Sequence, residues 1–231
     1  MTRTAIVTGA SRGLGLALAR ALAERGWRLV IDARTATELE AARAELAALT
    51  EVAAVAGDVA DSWHRAALVD AAGPRVDLLV NNASTLGVSP LPALADYPAA
   101  AFEEVLRVNV VAPLVLTQLV LPLLPAGGRI VNVTSDAAVE GYEGWGGYGA
   151  SKAALEQLSN VLRAERPDLR VYAVDPGDMN TQMHQDAFPG EDISDRPPPQ
   201  DSVPGLLVLV EGDRPSGRYR AAELAGAPVP G

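Results

Sequence analysis

The 231-residue sequence contains no cysteine. Disulfides, thiol nucleophiles and cysteine-ligated metal centres are therefore excluded, and a reducing cytoplasm is the expected setting. Histidine occurs only at His64 and His184, too few for a histidine-rich metal site, so no metal is expected. Basic residues are outnumbered, 19 Lys and Arg against 29 Asp and Glu, for a net charge of −10. Nucleic-acid binding needs clustered Lys and Arg against phosphate, so no such partner is expected. No apolar run approaches the roughly 20 residues of a membrane span, so no membrane partner is expected either. Met1-Thr2-Arg3-Thr4 leads straight into an apolar segment without a signal-peptide pattern. Aromatic residues are few and alanine fills the helical segments. What is left suits one large α/β domain over residues 1–231, long enough for a substantial core.

Short apolar runs at Ala5–Val7, Arg28–Ile31, Val52–Ala56, Val76–Val80, Arg129–Val133 and Leu169–Val174 read as strands, with Ser216–Ala222 a seventh. Helical patterns lie between them, near residues 14–25, 36–48, 61–72, 99–121 and 148–165, and Gln200–Glu211 reads as a short last helix. This alternation predicts a doubly wound, Rossmann-like parallel sheet of about seven strands with helices on both faces. Ligands of such folds bind beyond the carboxyl ends of the strands. Two proline-bearing stretches interrupt the pattern, residues 85–98 and 178–199. The second is long for a structureless loop and reads as a lid over a binding site.

Tyr148 and Lys152, four residues apart, fall on one helical face. Taken alone, such a pair describes a solvated face. A fixed ammonium beside a phenol also favours the phenolate, and would move its pKa down from about 10 toward the range of an acid/base catalyst. Earlier in the chain stands Thr8-Gly-Ala-Ser-Arg-Gly-Leu-Gly15, between a predicted strand and a predicted helix. Strand, glycine turn and helix form the setting of a dinucleotide-binding turn. Gly9 would allow the tight turn, Gly13 a close approach to pyrophosphate, and Gly15 tight packing of helix on sheet. The helix N-terminus would offer its unpaired N–H groups to phosphate.

These pieces recur with others in one order: Gly57-Asp58-Val59, Asn81-Asn82-Ala83, Asn109, Ser135, Tyr148-Gly-Ala-Ser-Lys152 and Pro176-Gly177. Across almost its whole length the chain resembles the short-chain dehydrogenase/reductase family. The resemblance implies four catalytic residues. Tyr148 would act as acid or base at a carbonyl or alcohol oxygen. Lys152 would lower the Tyr148 pKa and bond the nicotinamide ribose. Ser135 would donate a hydrogen bond to the substrate oxygen, or else cap a strand end. Asn109 would hold a relay water, or else bond a neighbouring carbonyl. The implied cofactor contacts run through Gly9, Ser11, Arg12, Gly13, Leu14 and Gly15 to Asp58 and Val59 at the adenine. They continue through Asn82 and Ala83 to Pro176 and Gly177 at the nicotinamide. The chain departs from the family at Ser84, where glycine is usual, and at Asp175, commonly apolar or small.

The choice of nicotinamide cofactor turns on Leu29-Val30-Ile31-Asp32-Ala33-Arg34. Aligned from Gly26, the position of a ribose-binding acid falls at Ala33. Arg34 and Arg12 would then clamp a 2′-phosphate, which favours NADP(H) over NAD(H). In the alternative register Asp32 bonds the ribose and NAD is used. Tyr142 and Trp145, with Met179, Met183 and Phe188 of the lid, are the expected substrate pocket; His184 could join the roof of that pocket and reads as a surface or loop residue rather than a second catalyst. The resulting expectation is an NADPH-dependent carbonyl reductase acting on a small-molecule carbonyl or alcohol. An NAD-dependent alcohol dehydrogenase and a non-catalytic NADP(H) sensor are the alternatives. A homo-oligomer, dimer or tetramer, is expected through the two long helices. The apolar Val105, Val108, Leu116, Leu155 and Leu158 would form either that interface or the core.

Overall fold

Ala5, Ile6 and Val7 have no side chain that prefers water, and all three are fully buried at the centre of a parallel sheet. The computed structural model describes residues 2–226. Strand β1 (Thr4–Val7) leads through the glycine turn into α1 (Gly13–Ala23), followed by β2 (Arg28–Ala33) and α2 (Ala36–Leu46). Next come β3 (Val52–Ala56), α3 (Ser62–Ala72) and β4 (Leu78–Asn81). A long helical run follows: α4 (Ala99–Leu106), a π-helical turn (Arg107–Val111) and α5 (Ala112–Val120). Then come β5 (Arg129–Val133), α6 (Gly146–Glu165) and β6 (Arg170–Asp175). The short α7 (Gln182–Ala187), α8 (Val203–Glu211), β7 (Gly217–Arg220) and α9 (Ala221–Leu224) complete the described chain.

The seven strands pair in the order β3-β2-β1-β4-β5-β6-β7, every pair parallel. This is the Rossmann-like single sheet the sequence predicts. Alternate side chains serve opposite faces. Ala5, Val7, Leu29 and Ile31 pack with Leu18 and Leu22 of α1 and with α8, while Ile6, Val30 and Leu79 pack with Leu68 of α3 and Leu116 of α5. Chain order reverses between β1 and β4, so the crevice at their carboxyl ends is the predicted ligand position.

Several expectations are revised. The helix predicted over 99–121 is broken at its middle by the π-turn around Asn109, and such bulges concentrate at functional sites. Helix α6 starts at Gly146, two residues before Tyr148, and β4 starts at Leu78 rather than Val76. Strand β7 stops at Arg220, where α9 begins. The 178–199 stretch is not structureless, because Thr181 caps α7 by accepting from the His184 N–H at 3.3 Å. Residues Ala99–Leu123 form a helical run long and apolar enough, by length and composition, to cross a membrane. Its Val105, Val108, Ala112, Leu116 and Val120 are buried in this protein, which accounts for that composition as a core helix. Val105, Val108, Leu116 and Leu155 are therefore core rather than interface, and Leu158 is half-buried. The large apolar side chains these helices do expose are Val111, Leu114, Leu119 and Val161.

Truncating Ile6 to Ala should cost about 2–5 kcal/mol, since its site at the middle of β1 is closed on both sides. Urea unfolding of the variant against the parent, at unchanged m-value, measures this.

Candidate active site

The glycine turn is held from three sides. Gly9 sits at φ +66, and a Cβ there would lie 2.9 Å from the Ala83 Cα. A Cβ at Gly15 would collide with the Gly9 carbonyl oxygen and come within 2.6 Å of the Asn82 side chain. Gly15 thus lets α1 close onto the turn itself, rather than onto the sheet. Asn82 Nδ2 donates to the carbonyls of Thr8 (2.8 Å) and Gly9 (3.1 Å), while Thr8 Oγ1 accepts from the N–H groups of Asn82 and Ala83. No side chain caps α1 and no acid lies in its first turn, so its leading N–H groups remain available to an anion.

Asp32 supplies the third support. Its Oδ1 accepts from the Gly9 N–H at 2.6 Å and its Oδ2 pairs with His64 Nε2 at 2.9 Å. Only 1 % of Asp32 is exposed, and both its oxygens are occupied inside the fold. His64, read in the sequence only as one of two histidines, lies against Gly57 with no room for a Cβ there. Ala33 ends β2, Arg34 is exposed beside it, and Arg12 faces Glu38 at 3.8 Å.

A cavity of about 1010 Å³ runs from this turn along the strand ends. Its wall contains Gly9, Ser11, Arg12, Gly13, Leu14, Arg34, Asp58, Val59, Asn82, Ala83, Pro176 and Gly177 at one side and Ser135, Tyr148 and Lys152 beyond them. Tyr142, Trp145, Met179, Met183 and Phe188 line it as well. Of the residues singled out in the sequence, Gly15 and Asn109 are absent from the wall and stand behind it. Among the described residues no His, Cys, Asp and Glu cluster suits a metal ion.

Tyr148 and Lys152 are buried, and Lys152 is the only lysine in the chain. Its Nζ donates to the Val133 carbonyl at 2.8 Å and lies 5.3 Å from the centre of the Tyr148 ring. Burial pushes the Lys152 ammonium down to about 7. Burial also raises the Tyr148 phenol; a hydrogen bond with Ser84 opposes this, and the charges of Asp175 and Asp136 add to it. The lowering expected from a neighbouring cation is thus overturned, because the same desolvation that raises the phenol discharges the amine. Burial favours the protonated phenol.

Asn109 is fully buried at the π-turn, and its amide is completely engaged. Nδ2 donates to the Thr85 carbonyl (2.9 Å) and Ser151 Oγ (3.0 Å), while Oδ1 accepts from the Thr85 N–H (2.9 Å) and Ser84 Oγ (3.1 Å). Ser84, a mild change in the sequence, is therefore a polar link between Asn109 and Tyr148. Ser135 Oγ donates to Asp136 Oδ1 at 2.9 Å and accepts from the Ala137 N–H at 3.1 Å, capping a short turn. Asp136 was missed, since nothing in its spacing separates it from an ordinary loop acid.

The far wall is aromatic. Trp145 stands edge-on to Tyr148 at 5.6 Å and 6.0 Å from Phe188, with Leu86, Met183 and Leu91 completing the cluster. Tyr142 is half-exposed and donates to Asp136 Oδ2 at 3.0 Å. His184, a candidate for the roof, lines the cavity and packs 5.0 Å from Phe188, its Nδ1 4.0 Å from Asp178.

Lys152 contributes a pH signature of definite sign. With its folded pKa near 7 and its ordinary value at 10.5, the unfolded chain binds the extra proton between them, so stability should rise from about pH 7 to about 10.5. A single lysine resonance, followed by NMR in protein labelled at lysine, should titrate near 7. Lys152→Met should remove its share of the rise in stability with pH.

The short chain dehydrogenase profile matches residues 3–192. The chain is 36 % identical to L-xylo-3-hexulose reductase of Hypocrea jecorina, over 81 % of this chain and 70 % of that protein. It is 32 % identical to a benzil reductase ((S)-benzoin forming) of Saccharomyces cerevisiae, over 100 % of this chain and 88 % of that one. Among solved structures, an alcohol dehydrogenase of Thermococcus sibiricus complexed with 5-hydroxy-NADP superposes with a TM-score of 0.86 at 26 % identity, covering 99 % of both chains. With a matching sheet, a glycine turn at its switch point and the Tyr148–Lys152 pair in one cavity, the chain belongs to the short-chain dehydrogenase/reductase family of oxidoreductases.

Proposed function

We propose that the protein is an NADPH-dependent carbonyl reductase, with Tyr148, Lys152 and Ser135 acting at the cavity and Asn109, the fourth member of the set, supporting them from behind its wall. The observation that carries the cofactor preference is Asp32. Asp32 reaches the cavity wall, but its carboxylate is 1 % exposed and each oxygen is already engaged, by Gly9 and by His64, which disfavours its use on ribose hydroxyls and so the NAD-linked alternative. Ala33 offers no acid to repel a 2′-phosphate, and Arg34 and Arg12 line the same end of the cavity. The complex of the Thermococcus sibiricus relative with 5-hydroxy-NADP supports the same preference.

The residues fit the nucleotide: an uncapped α1 start for the pyrophosphate, Asp58 and Val59 for the adenine, and Pro176-Gly177 beside the nicotinamide. Bound NADPH supplies the hydride. Tyr148, a phenol that carries its proton at neutral pH, gives that proton to the carbonyl oxygen. Ser135 turns its hydroxyl from Asp136 toward the same oxygen, where negative charge develops. Lys152, held at the Val133 carbonyl, bonds the ribose. Asn109 braces the Ser84–Thr85 segment against α6.

The Trp145, Phe188, Met183 and Leu86 wall favours a bulky apolar or aryl ketone over a small hydroxylated one. The benzil reductase among its relatives supports that choice. Residues 178–199, carrying α7 over this wall, act as the lid. Val111, Leu114, Leu119 and Val161 are the exposed apolar positions from which the long helices would pair in an oligomer.

Arg34→Ala should weaken NADPH by about 1.4–2.8 kcal/mol, roughly ten- to a hundredfold, with NADH unchanged. Fluorescence titration reads both, and equal effects on the two nucleotides would refute the clamp. Tyr148→Phe should keep NADPH affinity and lose turnover of an aryl ketone by about 10²–10⁴-fold. Retained turnover would remove Tyr148 as the proton donor and with it this mechanism.

A further inference from the structure

Strand β7 forms the sheet edge beside β6, and its Arg218 pairs in register with Ala173. Tyr219, next along the strand, packs on Tyr172 at 6.0 Å on one face of the sheet. Arg218 projects from the opposite face, toward α6 and the carboxyl ends of β5 and β6. Its Nε donates to Glu156 Oε1 at 2.9 Å and its Nη2 to the Ser135 carbonyl at 3.3 Å, while Nη2 stands 3.6 Å from Asp175 Oδ2.

Each partner leads into the cavity wall. Glu156 lies four residues beyond Lys152 on α6, and the oxygen that takes Arg218 also accepts from Thr134 Oγ1 at 2.7 Å. Asp175 Oδ1 accepts from the Gly177 N–H at 3.0 Å, closing the Asp175-Pro176-Gly177 turn. Glu156 and Asp175 are 9 % and 4 % exposed, so both carboxylates depend on a nearby cation for compensation. Burial raises the Asp175 carboxyl, and the Gly177 N–H, Arg218 and Arg220 pull it back. Arg220 approaches Asp175 at 3.8 Å, so it is a second cation for that carboxylate alone.

We propose that Arg218 is a positioning residue that fixes the Ser135 loop and the Asp175–Gly177 turn relative to each other and to the Tyr148–Lys152 face of α6. The planar fork of a guanidinium can serve all three segments at once, which an ammonium cannot. This role rests on the NADPH-dependent reading above, because the Asp175–Gly177 turn matters only where a nicotinamide lies against it. Arg218 touches no reacting atom. It sets the alignment of the groups that do.

The test is calorimetric titration of the parent, Arg218→Ala and Arg218→Lys with NADPH and, separately, with 2′-phospho-ADP-ribose, which lacks the nicotinamide. Arg218→Ala should lose roughly tenfold in NADPH affinity while binding 2′-phospho-ADP-ribose as the parent does. With an aryl ketone its kcat should fall more than its KM rises, and Arg218→Lys should recover part of both losses. Unchanged NADPH affinity in Arg218→Ala would overturn the proposal. So would an equal loss for both ligands accompanied by a lowered Tm, which describes a fold-wide contact. Should Arg218→Ala fail to fold, Arg218→Lys decides by the same comparison. A parent that binds neither ligand would bring down the NADPH reading itself; a parent that binds both, with a variant that matches it, brings down the positioning role alone.

Discussion

Burying an ammonium away from water is costly, and this chain places its only lysine where that cost is fully felt. Everything around Lys152 follows from that burial. The Val133 carbonyl takes one of its hydrogens, the amine is discharged toward neutrality, and the adjacent phenol retains its proton. Elsewhere the positive charge of the chain rests on arginine, whose guanidinium stays ionised and suits bidentate pairing.

Holding α6 against β5 with this accuracy takes a buried polar lattice. Asn81 Nδ2 donates to Asn132 Oδ1 at 2.7 Å, and Asn132 Nδ2 donates to Ser159 Oγ on α6 at 2.8 Å. Asn109, at the π-turn, joins Ser84 and Thr85 to Ser151. Satisfied networks of this kind specify one arrangement, because any shift leaves buried donors without partners. At the other end of the cavity, Asp32 performs the same service for the glycine turn. Two polar clusters, one at each end, give an otherwise apolar sheet a defined crevice.

Much of this was legible in the residues. Apolar runs alternating with helical patterns predicted the sheet, because a strand buried on both faces has little choice but to be apolar throughout. The glycine turn and Tyr148–Lys152 were legible because they are local, with chemistry that depends on spacing along one element. Boundaries were less so. Strand β4 begins two residues late and α6 two residues early, and the capped α7 lay hidden inside a proline-bearing stretch. Asp136 and Arg218 carried no usable signal, since an acid in a loop or an arginine on an edge strand is ordinary until its neighbours are known.

Asp32 marks the line between the two kinds of knowledge. By itself the sequence determined the fold class, the family and the identity of the groups beneath the cavity, because these depend on periodicity and on residues close together in the chain. It left two registers open for the acid at the end of β2. Only the tertiary structure decided that Asp32 turns inward, since its partners Gly9 and His64 lie 23 and 32 residues away and come together through the packing of β1, β2 and α3. The direction of the Tyr148 and Lys152 shifts was likewise a tertiary result. Spacing shows which groups are neighbours, but desolvation depends on everything else that covers them.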